Sequence, residues 1–365
     1  MAQIETPKYS NEFLTLGVGG RALGMGGAQA AVTEGVTAAY WNPAGLLNLR
    51  DRYEVGLMHT SYFGGIANYD YLGFATRLDS QNVIGISAVR LGVDNIPDTR
   101  FLIDENGQVN YDNVGSFAEA SYAFLFSYAR AIPLKIRWKN PVTGQREKRT
   151  YPLQLGANFK VIYRKAGIFT DAWGFGMDVG AQLQLEKWRF GVMGKDITGT
   201  FNAWTFNTEA VEEVFIETGN AVPTNSIELT LPRLILGAGR DFELTADLNL
   251  LASLALETTF DGRRNTLLQT NFASVSPNAG LELGYRDLVF LRGGIGNFQE
   301  IEDFDGSQNW SLQPNFGVGL RLKKITIDYA LTNIGQQLDL PYSHVFSVQV
   351  SFHQKDLEFL KPKKP

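Results

Sequence analysis

Strict alternation of apolar and polar residues, repeated from Tyr53 to Phe352, constrains this chain more than any other feature of its sequence. In residues 244–257, Leu244, Ala246, Leu248, Leu250, Ala252, Leu254 and Leu256 share one face, while Thr245, Asp247, Asn249, Ser253 and Glu257 share the other. In residues 153–164, Leu153, Leu155, Ala157, Phe159, Val161 and Tyr163 alternate with Gln154, Gly156, Asn158, Lys160 and Arg164. Such runs are strands with one face in an apolar medium and the other against polar contents. A soluble sandwich also alternates, but its strands are about five or six residues long. These runs are of membrane-strand length, roughly 9 to 14 residues. Their second faces carry Gly, Asn, Gln, Asp, Glu and Lys, as a barrel interior does.

The connections point the same way. About fourteen strands can be counted, joined alternately by short links (such as 79–82, 186–187 and 286–287) and longer ones near 93–116, 165–172, 198–226, 259–277, 297–312 and 334–343. Outer-membrane barrels sort their loops so, with tight periplasmic turns and longer outer loops. This places both chain ends in the periplasm. The basic stretch 132–150 reads as two strands running on into a periplasmic hairpin closed around Asn140, Pro141 and Gly144. Tyr53, Tyr62, Tyr128, Tyr163, Trp173, Trp188, Tyr285 and Phe352 fall toward strand ends, where interfacial girdles belong. The expected fold class is all-β: a transmembrane antiparallel β-barrel, with an N-terminal plug segment over 1–50, the barrel over 51–353 and a flexible basic tail over 354–365.

Composition removes most other functions. A net charge of −5 argues against a nucleic-acid surface. With no cysteine, disulfides, thiol catalysis and cysteine metal sites all fall away. The three histidines, His59, His344 and His353, fall near strand ends or the tail and form no catalytic cluster, so neither an enzyme nor a cofactor nor a metal site is expected. Residues 303–306 (DFDG) resemble half a calcium loop but lack its later ligands. Asp178, Glu186, Lys160, Arg164, Asp247, Glu282 and Arg321 are expected to pair across the lumen, since unpaired buried charge is costly. The first residues carry no export signal, consistent with a cytosolic chain or with a mature chain whose signal has been removed.

The segment from Gly24 to Leu46, GMGGAQAAVTEGVTAAYWNPAGL, is neither core helix nor strand. Gly17–Ala22 fits a relaxed dinucleotide fingerprint, but no βαβ unit surrounds it. Small residues allow close backbone packing, and Pro43 turns Asn42 away from helical geometry. A compact plug inside the barrel fits both properties, with Gly26, Gly27, Tyr40, Trp41, Asn42 and Pro43 as its motif. Over residues 17–49 the sequence resembles the N-terminal signature of the PorV/PorQ family of Bacteroidota outer-membrane proteins, distant relatives of the FadL long-chain fatty-acid transporters. The resemblance implies a FadL-like fourteen-stranded barrel in the outer membrane of a Gram-negative, Bacteroidota-like bacterium, with a signal peptide missing from this chain.

It also implies an accessory role in type IX secretion, with the translocon or attachment proteins and cargo C-terminal domains as partners and outer-membrane lipid around a monomeric barrel. On that reading the loops present the docking surface. Segment 198–226 is the prime candidate, with Phe201, Trp204, Phe206 and Phe215 as apolar anchors among its acids. The alternative is passive, FadL-like transport of hydrophobic small molecules. The mostly polar second face of the strands argues for the first reading.

Overall fold

A computed structural model describes residues 10–104, 106–139, 146–210, 212–217, 219, 221, 225–302, 306–332, 343–353 and 356. Among these, seventeen strand segments join into one sheet that closes on itself. The wall runs β1 (Tyr53–Tyr62), β2 (Ala67–Arg77), β3 (Asn82–Asp98), β4 (Gly115–Lys139), β5 (Arg146–Ala166) and β6 (Thr170–Leu185). It continues through β7 (Trp188–Lys195 with Thr200–Phe206) and β8 (Ser226–Thr230 with Arg233–Glu243). β9 (Leu248–Thr259), β10 (Ser274–Tyr285), β11 (Val289–Glu302), β12 (Gln308–Leu322), β13 (Ile325–Thr332) and β14 (Ser343–Phe352) complete it. Leu268–Gln269 is a two-residue bridge, so the wall has fourteen strands. Closure is antiparallel, with Tyr53 opposite Phe352 and Ser61 opposite His344.

β7 and β8 are interrupted side by side. Below the break Lys195 pairs with Arg233, and above it Thr200 pairs with Thr230. Pro232 sits in the gap and has no N–H to give the ladder. The segment expected as a loop at 198–226 is therefore wall at both ends. The expected loop at 165–172 is also mostly wall, because β5 and β6 run on until Gly167 donates to Ala118 O and Phe169 to Ala166 O.

Alternation sets inside from outside. Leu57, Leu72, Ile86, Phe159, Leu254 and Phe316 face outward and are exposed, as a lipid-facing wall requires. Their neighbours Glu54, Ser87, Asn158, Lys160, Ser253 and Asn315 are buried in the lumen. Trp173, Trp188 and Tyr285 are outward and exposed near strand ends, whereas Tyr128, also outward and exposed, lies midway along β4, which runs on to Lys139. Tyr62 departs from the expected girdle: it is fully buried in the lumen beside Tyr69, their ring centroids 6.0 Å apart. The β4–β5 ladder extends to Lys139 opposite Arg146. The expected hairpin tip at Asn140, Pro141 and Gly144, the acidic residues 303–305, residues 333–342 and all of the tail over 354–365 except Asp356 lie outside the described residues.

Candidate functional site: the lumenal plug and its seat

The N-terminal segment threads the lumen from near the long-connection rim to the short-turn end. Asn11 Nδ2 donates to Thr230 Oγ1 at 2.8 Å, and Asn202 Nδ2 donates to Asn11 Oδ1 at 3.1 Å. Far along the segment, Arg77 Nη2 donates to the carbonyls of Leu47 and Leu49 at 2.9 and 3.0 Å, beside the periplasmic turn. Ser10, the first described residue, lies high in the barrel against Asn202 and Glu228; the chain end expected in the periplasm lies outside the described residues.

Two short helices, α1 (Gly20–Gly24) and α2 (Ala38–Trp41), and a 3-10 turn (Pro43–Asn48) give the plug its shape. Asn42 breaks α2 with an extended backbone, φ −164° and ψ 106°. It is fully buried, and its Nδ2 donates to Ala30 O at 2.8 Å, Ala181 O at 3.2 Å and Val192 O at 3.3 Å. Its Oδ1 accepts from Ala44 N at 3.2 Å and so caps the turn that Pro43 begins. One amide thus ties the plug's two halves to β6 and β7. Tyr40 Oη donates to Leu14 O at 2.6 Å and accepts from Gly17 N at 3.0 Å, while Trp41 Nε1 donates to Val18 O at 2.8 Å. This pair clamps the incoming chain. The Lys195 ammonium lies 4.5 Å from the Tyr40 ring centroid and 5.7 Å from that of Trp41, a cation–π seat on the wall.

Glycine explains the close fit. At Gly26, φ is +62° and a Cβ would lie 2.8 Å from Ile295 N; Gly27, φ +75°, lies beneath the Trp41 ring. The wall answers with its own glycines. A Cβ on Gly237 would meet Ala31 N at 2.8 Å, one on Gly280 would meet Met25 Cβ at 2.7 Å, and Gly317 faces Gly24 Cα at 3.1 Å. Gly156, Gly191 and Gly294 likewise have plug backbone where a side chain would be. The plug is therefore seated backbone against backbone on a belt of wall glycines, a feature the sequence reading missed. The signal was available: each of these glycines falls on the polar, inward register of its strand.

Ion pairs lock one side. Arg21 Nε donates to Glu282 Oε2 at 2.8 Å and Nη2 to Oε1 at 2.9 Å, and Arg292 joins Glu282 at 2.6 Å to Asp328 at 2.7 Å. Glu34 of the plug gathers Arg50 at 3.5 Å, Arg321 at 3.7 Å and Arg21 at 3.8 Å. Burial alone would raise the Glu34 carboxyl, but Arg21 and Arg50 outweigh it and hold the group below the usual carboxylate range. A cavity of about 10 Å³ remains among these groups, room for a single water. A second cluster at the β7–β8 break joins Lys160 to Asp178 at 2.7 Å and to Asp196, with Arg233 3.4 Å from Asp196. Of the expected lumenal charges, Lys160, Arg164, Asp178, Glu282 and Arg321 pair inside. Glu186 and Asp247 do not: they pair with Arg149 and Arg286 at exposed periplasmic turns.

The opposite side of the lumen is apolar. Met58, Tyr62, Tyr69, Tyr71, Leu125 and Ile162 of β1, β2, β4 and β5 pack on Phe13, Leu14, Val18 and Leu23 of the plug. The expectation of a polar lumen almost throughout fails over this sector, where apolar side chains interrupt lumenal polar residues such as Glu54, Asn158 and Lys160. In β2 the inward residues Ala67, Tyr69, Tyr71 and Ala75 are apolar while Asn68 and Asp70 fall on the outward face, so alternation is blurred where the greasy sector lies.

Of the suggested anchors, Phe201 faces outward from upper β7, its ring 5.7 Å from Phe175. Trp204 turns inward beneath the Arg164 guanidinium at 4.8 Å, with Phe206 at 6.5 Å. Phe215 lies on α3 (Glu212–Glu217). Among the described residues, no group of three or more His, Cys, Asp or Glu could hold a metal ion.

No protein-family profile matches the chain, and no curated protein does. Solved structures do. The chain superposes on the CymD monoaromatic hydrocarbon channel with TM-score 0.55 at 14% identity, covering 93% of this chain and 98% of that one. The toluene transporter TodX of Pseudomonas putida gives 0.52 at 13% identity over 92% and 98%. The toluene transporter TbuX of Ralstonia pickettii gives 0.51 at 14% over 92% and 99%. The chain has the FadL-like barrel fold. That fold is the fourteen-stranded outer-membrane barrel, and its structural neighbours are channels and transporters.

Proposed function

We propose that this FadL-like barrel is an outer-membrane channel for small hydrophobic molecules, held shut here by its plug. The observation that carries this is the apolar lumenal sector of Met58, Tyr62, Tyr69, Tyr71, Leu125 and Ile162, which the plug covers with its own apolar residues. Such a sector favours an apolar solute once the plug residues give way, because apolar surface prefers apolar contact by about 25 cal/mol per Å². The hydrocarbon channels that share the fold lend support. The test is uptake of a radiolabelled monoaromatic hydrocarbon by cells that lack their own hydrocarbon channel. Expression of the chain should raise uptake, and Leu125→Arg, which puts a charge in the sector, should abolish the gain. Uptake equal to that of cells without the protein defeats the reading.

A second reading, partner of a type IX translocon, is favoured by the signature at residues 17–49 and by the ionic lock of Arg21, Glu282, Arg292 and Asp328, which makes the barrel a rigid scaffold. Its test is affinity purification from native membranes. A copurifying translocon that is lost on joint replacement of Trp204 and Phe215 supports it, and an isolated barrel counts against it.

A further inference from the structure

We propose that the outer wall between β8 and β11 binds one anionic glycerophospholipid of the periplasmic leaflet, with Arg240 as the anchor for its phosphate. Most of the lipid-facing wall is tiled with large side chains, but here it is recessed. Leu281 stands between Ala252 and Gly293 in one row, and Leu254 stands between Ala238 and Ala279 in the next. Each large residue thus has a small one on either side, and the recesses merge into a groove of about 600 Å³. Gly293 opens it furthest, because a Cβ there would touch nothing within 4 Å. An acyl chain lying in this groove gains contacts that a flat wall denies it.

Charge fixes which lipid. Arg240 faces outward at the periplasmic end of the groove, three residues before β8 ends at Glu243. Its guanidinium carbon lies 4.9 Å from the Trp188 ring centroid and 4.8 Å from that of Phe242. The neighbouring cations at this end are occupied: Lys187 with Glu243 at 3.4 Å, Arg189 with Asp241 at 2.7 Å and Arg286 with Asp247 at 3.1 Å. Among the described residues Arg240 has no carboxylate partner. Two rings hold it flat against the wall at headgroup height, leaving its N–H groups for an oxyanion, and a planar guanidinium suits the paired oxygens of a phosphate.

The test uses the full chain in nanodiscs of mixed phosphatidylglycerol and phosphatidylcholine, followed by native mass spectrometry after mild delipidation. Wild type should retain one phosphatidylglycerol in preference to phosphatidylcholine. Arg240→Gln should still retain a lipid but lose about fivefold of that preference. Gly293→Leu fills the groove and should lose the retained lipid of either kind; heat-modifiable migration on gels confirms that both variants are folded. Equal retention by wild type and Gly293→Leu overturns the proposal. So does a preference for phosphatidylglycerol that survives Arg240→Gln, or a polypeptide that copurifies with wild type and leaves with Gly293→Leu.

Discussion

Arg21 of the plug grips Glu282 of β10 through two parallel hydrogen bonds, at 2.8 and 2.9 Å, and Glu282 is held from behind by Arg292. The pair is mostly buried, so removing Arg21 leaves Glu282 with Arg292 alone in a place water barely reaches. Arg21→Ala should cost about 3 kcal/mol, the usual penalty for breaking a buried pair. The double variant Arg21→Ala with Glu282→Ala should cost clearly less than the two single changes added together. Unfolding midpoints in detergent measure the cycle, and strict additivity would remove the lock from the account.

Gly280 faces the plug at Met25, so Gly280→Val should push the plug off its seat at about 1–3 kcal/mol. Loosening should appear as faster protease cleavage within residues 17–49, with the barrel still heat-modifiable. An unchanged cleavage rate would mean that the plug does not depend on this contact.

Asn42→Ala removes every bond that the amide makes to Ala30, Ala181 and Val192 and leaves those carbonyls without it. The expected loss is about 1–3 kcal/mol. Asn42→Asp should fare no better, because a carboxylate cannot donate to three carbonyls. An aspartate variant as stable as wild type would contradict the assigned donor geometry.

Acid should release the plug. The Glu34 carboxyl is held below its unfolded value of about 4.3, so its pairing with Arg21, Arg50 and Arg321 is complete above that pH. The stabilisation is lost as pH falls through the lower folded value. In planar bilayers, open events should be rare at neutral pH and increase on strong acidification, and Glu34→Gln should show them already at neutral pH. Gating that follows alkalinisation instead would have the wrong sign.

Leu72 lies midway along β2, facing outward and half exposed. Leu72→Arg should cost about 2–4 kcal/mol in lipid, as charge does near the bilayer midplane. The same variant in detergent alone should be milder. Equal stability of variant and wild type in lipid bilayers would mean that this face does not meet hydrocarbon.

Most of the wall was legible because a strand that separates lipid from water writes that division into every second residue, as Leu254 and Ser253 do in β9. Features that rest on what fills the lumen were not. Tyr62 sits at a strand end, as a girdle residue would, and only the packing of Phe13 and Leu14 inside makes the interior its better place. The alternation of β5 turns Gly156 inward but does not place Pro43 over it, because a polar register accepts glycine for many reasons. The β7–β8 break was half visible in Pro232, whereas the ladder on either side of it was hidden among polar residues. The tight turn after Ala166 was hidden for a simpler reason: in the sequence Gly167 falls in the middle of a stretch that looks like a loop.

The backbone of residues 24–31 presses on β8, β10, β11 and β12, strands made long after it, and α1 lies on β13 and β14, the last of all. The cylinder's seam joins its first strand to its final one, and the space it encloses is filled by this segment. The N-terminal segment is therefore backed by the late staves and, through α1, by the final strand at the seam. A chain that reached the membrane without it would have to hold its seam together around a hollow.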